Sequence, residues 1–152
     1  MATTHTTWAT PTSESSIITS GLDGLTNNSL ALSADFDSST NLDLYCDLSL
    51  ELCYASAPSA GTKVAEIYLL PSIDGTNYAE GSSSLTPQQA LLVAALESRN
   101  PSTSAVERLA APGIPLPPGH MKFVVKNVSG QTLKDNTVAK ALKIRPYQLQ
   151  NA

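Results

Sequence analysis

Between residues 42 and 54 every even position is apolar or aromatic: Leu42, Leu44, Cys46, Leu48, Leu50, Leu52 and Tyr54. The odd positions hold Asp43, Tyr45, Asp47, Ser49, Glu51 and Cys53. Successive side chains of an extended chain point to opposite faces, so this phase predicts a half-buried strand. Its 13 residues exceed the usual strand length, which predicts a bend or a crossing of the sheet edge. An earlier in-phase run, Leu30, Leu32, Ala34 and Phe36, predicts a strand over 29–36. The link between the two, Asp37-Ser-Ser-Thr-Asn41, has turn chemistry. Residues 63–70 predict a third strand, with Ile67 and Leu69 on one face and Glu66 and Tyr68 on the other. It runs into Pro71-Ser-Ile-Asp-Gly75, where Asp-Gly signals a tight turn.

The second half repeats this logic with more interruptions. Thr86-Pro-Gln-Gln89 resembles a helix start, yet the β-rich surroundings favour a strand over 91–99 with a turn of helix at 87–90. Residues 105–109 predict a short strand. The segment 112–119 holds four prolines and two glycines, so it is expected as an extended connector or a sheet edge. Met121, Phe123 and Val125 alternate with Lys122, Val124 and Lys126 in the next strand, which ends at the turn Asn127-Val-Ser-Gly130. A last strand is expected over 137–147. Short strands separated by turn signals point to an all-β sandwich over 28–152.

Residues 1–27 fit this pattern poorly. They are polar, carry Pro11 and two glycines, and show no sustained period. They nevertheless contain Trp8 and the pair Ile17 and Ile18, which predicts an extended N-terminal arm that anchors on a neighbour or folds back on its own sandwich. The first 20 residues show neither the basic nor the apolar segment of a secretory leader, and the longest apolar run, 90–96, is too short to cross a membrane.

Composition narrows the function classes. The chain has 152 residues, 34 of them Ser or Thr, with only 14% charged, a pattern that suits strands and turns better than a helical bundle. A net charge of −4 argues against nucleic acid as a partner, because phosphate binding needs a basic surface. Cys46 and Cys53 lie seven apart in one extended segment, a separation of roughly 23 Å that no disulfide spans. Both are expected as free thiols of a protein folded in a reducing cytoplasm. Charge is also segregated. Residues 1–62 carry seven acids and no Lys or Arg, whereas 120–152 carry six Lys or Arg and one acid. Either the two stretches neutralise each other within the fold, or they meet across subunits of an assembly.

Catalytic constellations are sparse. His5 and His120 have no carboxylate or nucleophile at a diagnostic spacing, and there is no nucleophile elbow, phosphate-binding loop or zinc spacing. Asp35-Phe-Asp37 with Asn41 and Asp43 offers oxygens for calcium, but a strand-end turn with solvated acids fits better. Asn27-Asn-Ser29 and Asn127-Val-Ser129 fit the glycosylation pattern and are expected as turns. No enzyme, cofactor or metal is expected.

Three segments together carry a family resemblance: Tyr68-Leu-Leu-Pro-Ser-Ile-Asp-Gly-Thr-Asn-Tyr78; Gly113-Ile-Pro-Leu-Pro-Pro-Gly-His-Met-Lys-Phe-Val-Val-Lys-Asn127; and Asn136-Thr-Val with Lys143-Ile-Arg-Pro-Tyr147. Over residues 63–148 the order resembles a family of small virion structural proteins of tailed bacteriophages. The resemblance implies a jelly-roll-like sandwich on the particle, a capsid decoration or cement protein whose partners are the major capsid protein and copies of itself as a dimer or trimer. The alternative is a tail or fibre module that binds host glycans. As contacts with a partner, Trp8, Ile17, Ile18, Lys122, Lys126, Arg145 and Tyr147 are the candidates, the basic ones against an acidic capsid surface.

Overall fold

The computed structural model describes residues 6–135 and 138–151. His5 and the Asn136-Thr137 part of the recognised pattern lie outside the described residues. Eleven strands follow one another: β1 (Thr6–Trp8), β2 (Ser15–Ile18), β3 (Leu30–Leu32), β4 (Phe36–Asp37), β5 (Tyr45–Leu52), β6 (Lys63–Ser72), β7 (Leu92–Glu97), β8 (Glu107–Pro115), β9 (His120–Asn127), β10 (Ala141–Tyr147) and β11 (Leu149–Asn151). A 3-10 turn, Gln89–Leu91, the one helical turn among the described residues, precedes β7, as the proline-led helix start and the apolar run after it predict. All pairings are antiparallel.

Two sheets face each other as a β-sandwich. One has the order β2-β10-β5-β8; the other is β3-β9-β6-β7, with β4 also on β9. Their inward side chains form one core: Cys46, Leu48, Leu50, Leu52, Leu142 and Ile144 from the first sheet meet Ile67, Leu69, Met121, Phe123 and Val125 from the second. Burial of this apolar area is the main force holding the sheets together. Tyr68, Leu70 and Val124, on the outward face of the second sheet, form a smaller cluster with Leu30, and Tyr78, Leu91 and Leu92 pack over it. The phase expected for β6 is therefore met on both faces. Both cysteines are free and buried. Burial, with Asp47 and Asp43 nearby, pushes the Cys46 thiol up to about 12, which keeps it an unreactive packing group.

The structure sharpens the expected elements in three places. β5 starts at Tyr45, not at residue 42, because the chain turns at Leu42 in a left-handed conformation (φ 55°). Of the two readings for the proline-rich segment, the sheet edge is the one met: β8 runs through Pro112 to Pro115. It pairs with β5 alone, and the register shift opposite residues 46–48 accommodates Pro112 and Gly113. An edge strand tolerates prolines because one of its sides needs no donors. Third, of the two expectations for the arm, its described part follows the second and folds back on its own sandwich. β2 is the edge strand on β10, β1 forms a two-stranded ribbon with β11, and Leu22 joins the core. Ile18, expected as an anchor on a neighbour, is 2% exposed in the chain's own core, and Ile17 packs against that core. Apolar side chains on a strand that completes a sheet gain more from their own core than from solvent-facing reach.

Candidate functional site

The registers bring a particular set of strand ends together. Tyr45 at the start of β5 lies opposite Tyr147 and Pro115, the ends of β10 and β8. His120 at the start of β9 lies opposite Ser72 and Asp37, the ends of β6 and β4. The β1–β11 ribbon continues from Tyr147, with Trp8 opposite Leu149. All these ends form one pole of the sandwich, here the ribbon pole.

This pole is unusually apolar. Among the described residues six large hydrophobic side chains are exposed, and five of them are here: Trp8 (59%), Leu42 (71%), Leu44 (50%), Ile73 (105%) and Leu149 (38%). Trp8 stands edge-on to Tyr147 and Tyr45, with ring centroids 5.2 and 5.9 Å away, and the two tyrosines are near-parallel cross-strand neighbours. Such aromatic pairs add about 0.5–1.5 kcal/mol beyond area burial. The 116–119 turn joins the two sides of the pole. Its Leu116 N–H donates to the Leu44 carbonyl at 2.9 Å, and Ser38 Oγ donates to the Pro117 carbonyl at 2.8 Å. Between Pro117-Pro118 and the 73–79 loop lies an open groove of about 660 Å³ lined by Pro71, Ile73 and Tyr78.

The loops that present these side chains are firmly built. Asp74 accepts hydrogen bonds from the backbone N–H groups of Asn77 (2.7 Å) and Thr76 (2.9 Å) and from Asn77 Nδ2 and Ser72 Oγ, which sets Ile73 at the tip. Those bonds, the Asn77 N–H first, hold the Asp74 carboxyl well below its usual range. Asp37 closes the neighbouring turn, accepting from Ser39 N–H and Ser39 Oγ. In contrast, the 38–44 loop is under strain. Leu42 in the left-handed region costs about 1 kcal/mol. Asp43 is buried, and its Oδ2 has no hydrogen-bond partner among the described residues. Burial raises its carboxyl, with the Asn41 hydrogen bond opposing.

His120 was not legible as a paired residue, because its partner is 85 positions away. Asp35 Oδ2 lies 2.8 Å from its Nδ1, and Asp35 Oδ1 accepts from Tyr78 Oη at 2.8 Å. Asp37 Oδ2 is 3.9 Å from Nε2. A Cβ at Gly75 (φ 69°) would lie 3.0 Å from the ring, so only glycine lets the 72–79 loop sit on His120. Among the described residues no Ser or Cys hydrogen-bonds the imidazole, and no group of three or more His, Cys, Asp and Glu side chains is placed to hold a metal ion. The Asp35 hydrogen bond raises the His120 pKa above 6.5; desolvation opposes it, and the charges of Asp35, Asp37 and Asp74 add to the rise. A raised pKa stabilises the fold fully below about 6.5, the unfolded value, and that contribution is lost as pH rises through the folded value. An NMR titration of the ring is therefore expected to give a midpoint above 6.5 that falls back in Asp35→Asn; an unchanged midpoint in that variant contradicts the pairing.

The remaining candidates are distributed as follows. Arg145 pairs with Asp47 directly across β10 and β5, beside the tyrosines. Lys143 bridges Glu14 (3.1 Å) and Glu51 (3.0 Å), Arg108 holds Glu51 at 2.8 Å, and Lys140 holds Asp23 at 2.6 Å. Four of the seven acids of the first segment, Glu14, Asp23, Asp47 and Glu51, thus pair with Lys140, Lys143 and Arg145 of the last one within the chain, because β10 lies between β2 and β5. Lys122 and Lys126 are on the other sheet. Lys122 Nζ sits 4.1 Å from the Tyr78 ring centroid, and Lys126 is opposite Glu66. Trp8, Arg145 and Tyr147 are brought together; Ile17, Ile18, Lys122 and Lys126 are not with them. Asn127, inside one glycosylation pattern, is buried and bonds the carbonyls of Leu25 and Gln131, which makes it a turn anchor. No protein-family model and no curated protein matches the sequence.

Proposed function

We propose that this chain is a virion structural protein of a tailed bacteriophage, a decoration or cement protein that docks on the shell of major capsid protein through its ribbon pole. The observation that supports this most is the gathering of five exposed large apolar side chains at one pole of the sandwich. Isolated exposed leucines are ordinary, but apolar groups collected at one place mark a contact surface. Tryptophan and tyrosine, both present here, are the residues that dominate interface energies. The strained loop at the same pole fits, since strain collects where a surface is shaped for a partner. In this reading the jelly-roll-like module implied by the resemblance acts as a symmetric dimer or trimer, is assembled in the host cytoplasm, and works on the capsid surface without cofactor or catalysis. A tail or fibre module for host glycans is the second reading, and the Trp8–Tyr45–Tyr147 cluster favours it.

The deciding experiment counts and locates the chain on purified particles by mass spectrometry and electron cryomicroscopy. Many copies spread over the shell are expected; a few copies at one vertex reject the cement role. Ile73→Ser combined with Trp8→Ser is expected to weaken attachment to shells about tenfold or more. Ile73→Ser alone is expected to leave the unfolding midpoint almost unchanged, within about 0.5 kcal/mol, because its side chain is fully exposed in the free chain. A large loss of stability in that single variant contradicts a docking role for Ile73.

A further inference from the structure

Of the basic residues that the sequence suggested for an acidic partner, Arg145 pairs with Asp47 and Lys122 lies over the Tyr78 ring, and a different charge remains at the ribbon pole. Glu14, Asp23, Asp47, Glu51, Glu66 and Glu97 each have a Lys or Arg partner. Asp35, Asp37 and Asp74, which edge the apolar pole, have none among the described residues; their shared cationic neighbour is His120. Lys122 is drawn over the Tyr78 ring, from where its charge acts on Asp35. All three carboxyls are held below their usual range: Asp35, although burial raises it, by its bonds from His120 and Tyr78; Asp37 by those from Ser39; Asp74 by those from the 76–77 backbone. They stay ionised at any physiological pH. The pole is an apolar centre with a fixed anionic margin.

From this we infer that the ribbon pole fits a protein surface carrying an apolar patch edged by lysines and arginines, the reverse of the charge sense that the sequence suggested. The inference rests on the docking role proposed above and names the chemistry of the partner. Charges at the margin of a contact steer encounter and select partners, while the apolar centre supplies the affinity. Nucleic acid and anionic lipid are disfavoured by the same margin, because each would bring further negative charge.

Two synthetic peptides test the sign directly: one alternating leucine with lysine, the other leucine with glutamate. Trp8 is the only tryptophan of the chain, so its fluorescence reports on the pole itself. The lysine peptide is expected to bind about tenfold more tightly than the glutamate peptide in low salt, and the difference is expected to shrink as salt screens the margin. Thr40 and Thr76 are exposed beside Asp37 and Asp74, so charges placed there leave the fold intact. Thr40→Lys with Thr76→Lys is expected to weaken lysine-peptide binding about fivefold, and Thr40→Glu with Thr76→Glu to strengthen it. The control, Thr103→Lys with Thr132→Lys, adds the same charge at exposed sites on the opposite pole and is expected to change little. Equal binding of both peptides overturns the inference, as does equal loss in the control or no response of Trp8 to either peptide. A response to a neutral oligosaccharide such as maltohexaose that ignores all these charges overturns it too, and favours the glycan reading. The two proposals fail separately: a chain found only on the tail removes the shell-docking role, whereas a chain that coats the shell regardless of the Thr40 and Thr76 charges removes only the basic partner.

Discussion

Phe123→Ala is expected to cost about 3–5 kcal/mol, the range for deleting a fully buried aromatic ring. Phe123 sits on β9, between β3 and β6, fully buried in the centre of the core. Its ring meets side chains from both sheets, so no single neighbour can move in to refill the space, and the cavity adds to the lost transfer energy. Domains of this size are stable by about 5–15 kcal/mol, so the variant loses a large share of its margin. Urea titration followed by circular dichroism reads this directly: the midpoint falls while the slope is retained. A loss below about 1 kcal/mol contradicts a close-packed core at this position.

Lys140→Met is expected to cost about 2–3 kcal/mol for a different reason. The Lys140 side chain is completely buried, and its ammonium is fully employed. It contacts Asp23 Oδ1 at 2.6 Å and donates to the carbonyls of Val138 (2.8 Å) and Asp135 (3.3 Å). An ammonium has three donors, and all three are used. Methionine matches the stem but leaves those carbonyls without their donor. Asp23 is partly exposed, so water rehydrates it, and the loss stays below that of a wholly buried pair. The expected readout is a lowered urea midpoint together with faster amide exchange in Val138 and its neighbours. An unchanged midpoint contradicts the pinning role.

These two residues also show how much of the molecule could be read from its sequence. Phe123 announced itself through alternation with Lys122 and Val124, as did Ile67 and Leu69 on β6; a period of two needs only local information. The same alternation misled at Leu42 and Leu44. Their phase continues that of Cys46 and Leu48, yet they are presented outward beyond the strand, since periodicity marks a side of the chain and not whether a second sheet lies across from it. Lys140 gave no signal, because its partner Asp23 is remote in sequence and becomes a neighbour only once the chain folds. The ribbon pole was half legible for the same reason. Trp8, Arg145 and Tyr147 stood out as single residues, but their meeting depends on β1 pairing with β11. The pairing of His120 with Asp35 depends on β9 lying beside β4. The segregated charges were a partial guide: four acids of the start do pair with Lys140, Lys143 and Arg145 of the end, among them Asp47 with Arg145 across the β5–β10 register.

The ribbon of β1 and β11 has a mechanical meaning. Thr6 lies opposite Asn151, so a pull that separates these two residues loads the ribbon one hydrogen-bonded pair at a time. Behind it β2 and β10 are also antiparallel neighbours, with Ser15 opposite Ile144, so the next layer opens in the same unzipping sense. A partner seated on Trp8 and Leu149 would clasp the two strands where such a tear begins.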